Sequence, residues 1–328
     1  MSDIKSSNIQ KIAKRIVDNG GKLYLVGGAV RDKLLKIETH DEDYCVVGLG
    51  ATEFEGLFPD AIKRGKNFEV YDLFGREFAM ARLERKISTG HKGFEVNSGK
   101  NVTLLEDLKR RDITINSIAQ DVLTKEIIDP FNGIEDLKNG VIRATSEAFL
   151  EDPLRVYRVA RFASKLQFTV EEDTNQMMKK LKPELEFLSP ERVFEELRKA
   201  INTNKPSIFF NTLKKANLLD VHFKEIELLI GAEQPIKYHP EGDSYNHTMI
   251  ALDMSTKLTN DEKVRFSVLV HDLGKGLTPK EQYPHHIGHE EKGVEQVEKF
   301  CKRLKMPNSW RKCGKVSAKE HMRRWDFL

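Results

Sequence analysis

The chain has 328 residues, 39% apolar and 32% charged, with a net charge of +3, enough for two or three domains with real cores. No apolar run is long enough to span a bilayer. The N-terminal MSDIKSSNIQKIAKRIV has no signal-peptide centre, and Cys45, Cys301 and Cys313 form no Cys-x-x-Cys pair. Membrane-spanning, disulfide-framework and structural-zinc classes are therefore disfavoured, and a reducing cytoplasm is the expected location.

Leu23–Val26 reads as a strand running into Gly27-Gly28. Glycines between a strand and a helix let backbone N–H groups approach phosphate oxygens, and Arg31, one turn into that helix, reaches toward the same anion. The next strand, Tyr44–Val47, opens on Asp41-Glu42-Asp43. Burying carboxylates is costly unless something positive meets them. Strand side chains alternate, so Asp41 and Asp43 share a face while Glu42 points opposite. Two such carboxylates suit a pair of Mg²⁺ ions, about 3.5–4 Å apart, holding the attacking and leaving oxygens of an in-line displacement. Glu42 is expected to be dispensable for that chemistry.

Further strands are expected at Glu69–Leu73, Glu77–Ala81 and Glu126–Asp129, giving a small mixed α/β region up to about residue 145. From Ser146 helical periodicity takes over. SEAFLEDPLRVYRVARFASKL carries apolar residues at three- and four-residue spacing after an acidic start, and SPERVFEELRKAI opens on an N-cap serine followed by proline. GAEQPIKYHPEGDSYNH then separates these helices from a histidine-rich end, and eight of the ten histidines follow residue 220. His271-Asp272 closes an apolar helix ahead of Gly-Lys-Gly; His247, His286, His289 and His321 complete the composition of a metal site. Imidazole plus carboxylate suits Ni, Mn, Fe or Zn. From Cys301 to Leu328 nine Lys/Arg face two acids, a tail suited to phosphate backbones or to a solvated helix face.

LYLVGGAVRDKLL followed by DEDYCVVG resembles the head of the class II template-independent nucleotidyltransferases, the CCA-adding enzymes and bacterial poly(A) polymerases. The likeness continues in order. ARLERKISTGHKGFEV is similar to the family's flexible loop, LKRRDITINSIAQD to its R-R-D motif, IIDPFNGIEDLKNGVIRA to the close of the head, and EDPLRVYRVARFASKL and SPERVFEELRKA to its neck. HTMIALDM and FSVLVHDLGKGLTP look like the HD domain of some bacterial CCA-adding enzymes. The resemblance implies a polymerase-β-like α/β head over 1–145, an all-α neck and body over 146–230, and an α-helical HD domain over 231–328. It assigns the catalytic metals to Asp41 and Asp43, and incoming-nucleotide contacts to Gly28 and Arg31. Arg111 becomes the triphosphate contact, because guanidinium groups at a cleft suit that charge, with Asp112 orienting it or the primer 3′ end.

An enzyme without a template must read the base with protein. Asp152 and Arg155 stand three apart, neighbours if both are helical. One acceptor and one donor fit the edges of both cytosine and adenine and mismatch uracil and guanine. The resemblance gives this pair the templating role, with Arg158 near the nucleotide. The implied activity is addition of C and A to tRNA 3′ ends from CTP and ATP, with Mg²⁺. A poly(A) polymerase, or an enzyme adding only A or only CC, is the alternative within the family; Glu84, Arg85 and Lys86 in the loop Met80–Phe94 favour full addition. An HD metal phosphohydrolase with a nucleotide-binding head is the alternative from another class. The HD likeness implies phosphodiesterase, nucleotidase or phosphatase activity with Ni²⁺ or another transition metal, but Met322 stands beside His321 where an aspartate is expected.

Overall fold

The computed structural model describes residues 9–38, 42–64, 69–86 and 94–323, with backbone alone for 84–86 and 94–98. Asp41, loop residues 87–93 and the side chains of Glu84, Arg85 and Lys86 thus lie outside the described residues. The chain divides into two compact units, Met1–Asp152 and Pro153–Leu328.

The first unit is a mixed α/β body. Its strands include β1 (Lys22–Val26), β2 (Asp43–Val47), β3 (Ile62–Arg64), β4 (Val70–Leu73), β5 (Arg76–Met80), β6 (Arg82–Lys86), β7 (Phe94–Ser98), β8 (Ala119–Asp121) and β9 (Ile127–Ile128). Among the described residues, seven of them form one sheet in the order β3-β4-β5-β2-β1-β8-β9, while β6 and β7 make a separate hairpin. Only the β2–β5 pairing in that sheet is parallel. The registers place Asp43 opposite Val26 on one side and Glu77 on the other.

Alternation sorts β2 between two cores. Tyr44 and Val46 pack with Leu23, Phe54, Tyr71 and Phe78 under the helix Ile9–Val17. Cys45 packs on the opposite face with Val26, Ala81 and Leu108, the last from the helix Leu104–Lys109. Asp43, in phase with Cys45, therefore belongs to the face that carries Arg110 and Arg111 just beyond that helix. The three-residue strand β8 was not anticipated: Ala-Gln-Asp has little strand preference, and its pairing with β1 decides it.

The second unit is helical. As its Ser-Pro start implies, Ser189 caps the helix Pro190–Ile201, its hydroxyl accepting from the Arg192 amide at 3.3 Å. An aromatic chain runs through the core: Tyr157, Phe223, Phe300, Phe266 and Trp310 meet at centroid distances from 5.1 to 6.2 Å. Gly274 marks a close approach, because a Cβ there would stand 1.9 Å from the His289 carbonyl oxygen.

One expectation is corrected. The stretch from Ser146 is not a continuous helix: a 3₁₀ turn covers Glu147–Glu151, Asp152 is extended at φ −120° and ψ 107°, and the α-helix begins at Arg155. Proline at 153 disfavours helical geometry in the residue before it. Asp152 and Arg155 are therefore not helical neighbours; within the helix Arg155–Leu166, the residue one turn from Arg155 is Arg158.

Candidate active site and candidate metal centre

The head site begins where β1 ends. Gly27 has φ +69° and ψ −132°, a conformation that side-chain-bearing residues rarely adopt. A Cβ on it would also stand 2.8 Å from Arg111 Nη1, so the glycine makes room for that guanidinium. Gly28 starts the helix Gly28–Leu34 and lies beside Arg31, whose Nη2 would be 3.4 Å from a Cβ on Gly28. Gly27-Gly28 with Arg31, and Arg111, thus converge from two parts of the sequence.

Buried acids fix both arginines. Arg31, 3% exposed, donates from Nε to Asp32 at 2.7 Å and from Nη1 to Asn116 at 2.5 Å. Asn116 in turn donates to Asp112 at 3.0 Å, and Asp112 also accepts from the Ile113 amide. Arg111 pairs with Asp107 at 3.1 Å rather than with Asp112, and its Nε is buried without a partner. Burial opposes charge on Asp107, but Arg111 and Arg110 outweigh it and hold its carboxyl below the ordinary value. Sequence reasoning missed Asp107 and Asn116. Asp107 was readable, four residues before Arg111 at the end of a helix; Asn116 carried no such signal.

Asp43 is exposed at the start of β2, and Asp41 lies outside the described residues. Glu77, its neighbour across the parallel pairing, has its carboxyl raised by burial and then by the negative charge of Asp43. Carboxylates crowded in this way suit a divalent cation. Glu42 is engaged elsewhere, accepting from the Tyr44 hydroxyl at 2.8 Å and from Arg76 Nε at 3.0 Å. Arg155 is buried at its helix start, and Arg158 lies 5.6 Å from the Phe162 ring centroid.

The second cluster gathers helix ends around Asp272, which is 1% exposed. His271 Nε2 lies 3.2 Å and His247 Nε2 3.9 Å from Asp272 Oδ2, while His321 Nε2 lies 3.2 Å and His289 Nε2 3.6 Å from Oδ1. The outer nitrogens of three rings are committed to carbonyls: His271 Nδ1 to Val268 at 2.7 Å, His289 Nδ1 to His286 at 2.7 Å, and His321 Nδ1 to Ser317 at 3.2 Å. Those bonds place the protons on Nδ1 and turn the Nε2 lone pairs inward. His289 and His321 then face each other, Nε2 to Nε2, at 3.1 Å, and Asp272 Oδ1 has no hydrogen-bond donor. Opposed lone pairs beside an orphaned carboxylate oxygen fit a divalent metal ion. Lys275, 7% exposed, holds Asp272 Oδ2 at 2.7 Å. Burial opposes the charge on Asp272, yet the positive charge of a protonated His271, with Lys275, keeps its carboxyl well below the usual range.

His286 does not join this cluster. Its Nε2 is committed to the Glu233 carbonyl at 2.8 Å, and it belongs to no group of converging ligand atoms among the described residues. His239 and Glu241, which sequence reasoning passed over as loop residues, do converge with His247. Met322 is 57% exposed.

A strand-edge carboxylate beside a two-arginine pocket, joined in one chain to a helical histidine–aspartate cluster, defines a nucleotidyltransferase head with an HD domain. Residues 23–143 match the Poly A polymerase head domain, 167–229 the family described as the probable RNA and SrmB-binding site of polymerase A, and 242–327 the HD domain. A multifunctional CCA protein of Shewanella frigidimarina is 45% identical over 92% of this chain and 73% of its own length; one from Pseudoalteromonas atlantica is 45% identical over 92% and 75%. The chain belongs to the multifunctional CCA protein family and is a nucleotidyltransferase. Solved structures share the fold. The Bacillus stearothermophilus CCA-adding enzyme in complex with CTP aligns with a TM-score of 0.62 at 24% identity, over 97% of this chain and 70% of that one. The Thermotoga maritima CCA-adding enzyme complexed with tRNA aligns with a TM-score of 0.61 at 23% identity, over 96% and 79%. Among the described residues no helix is long and apolar enough to cross a membrane.

Proposed function

We propose that the chain adds C and A to tRNA 3′ ends from CTP and ATP in the cytoplasm, working as a head (1–145), a neck and body (146–230) and an HD domain (231–328). The observation that carries this reading is the meeting of Gly27, Gly28, Arg31 and Arg111, two fixed guanidiniums over a glycine turn one residue past the partner of Asp43. Asp41 and Asp43 would hold two divalent cations, with Mg²⁺ the fitting ion, which would activate the 3′-hydroxyl and neutralise charge on the leaving pyrophosphate. Arg31 and Arg111 hold the triphosphate in line, so that the 3′-oxygen bonds to the α-phosphorus as the bond to pyrophosphate breaks. Asp152 accepts from the exocyclic amine of C or A, Arg155 donates to the ring nitrogen beside it, and Arg158 steadies the nucleotide. Asp112 acts through Asn116 on Arg31 rather than on Arg111.

The direct test uses tRNA ending before CCA, given CTP and ATP separately and together, with the products sized. Addition of CCA and no more is expected; long A tracts would select the poly(A) polymerase reading, and no extension would leave a hydrolase or binding role. The histidine-lined centre supports a second activity, hydrolysis of 2′,3′-cyclic phosphates or phosphomonoesters with Ni²⁺ or Mn²⁺ held by His247, His271, Asp272, His289 and His321. Turnover of 2′,3′-cyclic AMP above an H271A control is expected, and its absence would reduce the cluster to a structural role.

A further inference from the structure

Beside the Asp272 cluster lies a second convergence of ligands. His239 and Glu241 sit on a loop closed by the Glu233–Asp243 bridge and by the Gln234 amide, which donates to Gly242 at 3.0 Å. The Gly242 amide donates back to the His239 carbonyl at 3.1 Å, and the loop leads directly into the helix Ser244–Leu258, which carries His247. His239 Nδ1 is 3.1 Å and His247 Nδ1 2.6 Å from the same oxygen, Oε1 of Glu241. The two rings stand at 89° with centroids 4.8 Å apart. The other nitrogen of His247 faces Asp272, 3.9 Å from Oδ2.

A carboxylate that only orients a metal-binding histidine needs one imidazole. Here two imidazoles from separate positions aim at one carboxylate oxygen, each within hydrogen-bond reach of it, and a divalent cation would take the place of the two N–H protons. Two histidines and one carboxylate with open positions are a transition-metal donor set. We propose that His239, Glu241 and His247 hold a second divalent transition-metal ion beside the His271–Asp272 centre, with His247 as the ligand common to both. The inference rests on reading that centre as a metal site. His247 bound through both ring nitrogens gives up its N–H proton to solvent, so loading the second ion releases one proton.

The test titrates the full-length chain with Co²⁺ in excess Mg²⁺, which occupies the oxygen ligands of the head, and counts bound Co²⁺ by equilibrium dialysis and absorbance. H239A and E241Q, each checked by its melting curve, are expected to lose one Co²⁺ per chain relative to wild type. D272N is expected to lose the other and keep this one. Should one variant fail to fold, the other decides. H239A that binds as many ions as wild type overturns the proposal. So does E241Q that merely weakens binding about 10–100-fold while H239A changes nothing, for Glu241 would then only orient His247. Loss in H239A with none in D272N would keep the second ion and overturn the Asp272 centre, so the two readings fail separately.

Discussion

The head presents Asp43 at the exposed opening of a strand, whereas the second unit wraps Asp272, 1% exposed, in four helix ends. In the head the rigid parts are cations: buried Asp32 and Asp107 fix Arg31 and Arg111, and the carboxylates stand open. Around Asp272 the acid itself is fixed, by Lys275, and three of the four histidines are locked through their outer nitrogens. An open acid edge with pinned arginines suits a site whose charge arrives with the substrate, as a triphosphate does. A closed cluster with its lone pairs already turned inward suits an ion that stays. The two centres should therefore fail independently, and that is the sharpest way to test the contrast.

The largest effect is expected at Asp43. Asp43→Ala should lower nucleotide addition about a thousandfold or more while leaving Co²⁺ binding by the histidine cluster unchanged; D272N should do the reverse. Both losses in either single variant would break the separation. Next come the pinned cations. Arg111→Ala should cost addition about a hundredfold, and Arg111→Lys should restore the pairing with Asp107 but not the rate, since a point charge replaces a planar fork. Gly27→Ala should mimic the loss, because its Cβ meets Arg111 Nη1 at 2.8 Å on a backbone with φ +69°. Single-turnover rates with CTP read both, and a normal rate for Gly27→Ala would show that the site does not need a glycine there to seat Arg111.

How each centre could be read from sequence follows from its construction. Gly27-Gly28, Arg31 and Asp43 lie within 17 residues because a strand, a turn and the next strand are consecutive, and the period-two rule separated Asp43 from Glu42. Asn116 reaches Arg31 across 85 positions, and no local pattern announces that bond. Asp152 was misplaced on a helix because its apolar spacing continued through Pro153, whose backbone constraint overrides the pattern. In the histidine-rich end, nearness in sequence misled. His286 stands three residues from His289 yet turns to Glu233, while His239 and Glu241, on a loop without periodicity, converge on His247.

A third prediction contrasts two histidines within the helical unit. His271 is half-buried, which opposes its charge, but Asp272 outweighs burial and raises its pKa. His222, 6% exposed, has no such partner: burial, with Arg303 nearby, lowers it to about 4, and its Nδ1 meets the Tyr157 hydroxyl at 2.6 Å. The unfolded state therefore binds the extra proton between about pH 6.5 and 4, so stability rises with pH across that window and is lost as pH falls through it. The contribution is on the order of 3 kcal/mol. H222Q should flatten this part of a plot of urea-unfolding free energy against pH; an unchanged slope would show that His222 is not the group that titrates.

The smallest effect is expected one residue from the largest. Glu42 precedes Asp43, carries the same charge, and faces away from it: its carboxylate holds the Tyr44 hydroxyl and Arg76, and Tyr44 packs on the face opposite Cys45. Its ion pair with Arg76 is half open to water, with side chains 41% and 27% exposed, so solvent screens it and its loss should cost no more than about 1 kcal/mol. Glu42→Gln keeps the shape and an acceptor for Tyr44, and should leave nucleotide addition within about twofold of wild type, since no interaction made in the transition state is removed. Urea unfolding and single-turnover addition on the same preparation separate the two quantities. A large fall in rate at unchanged stability would mean that Glu42 turns toward the chemistry, and the alternation that distinguishes Asp43 from its neighbour would not hold at this strand opening.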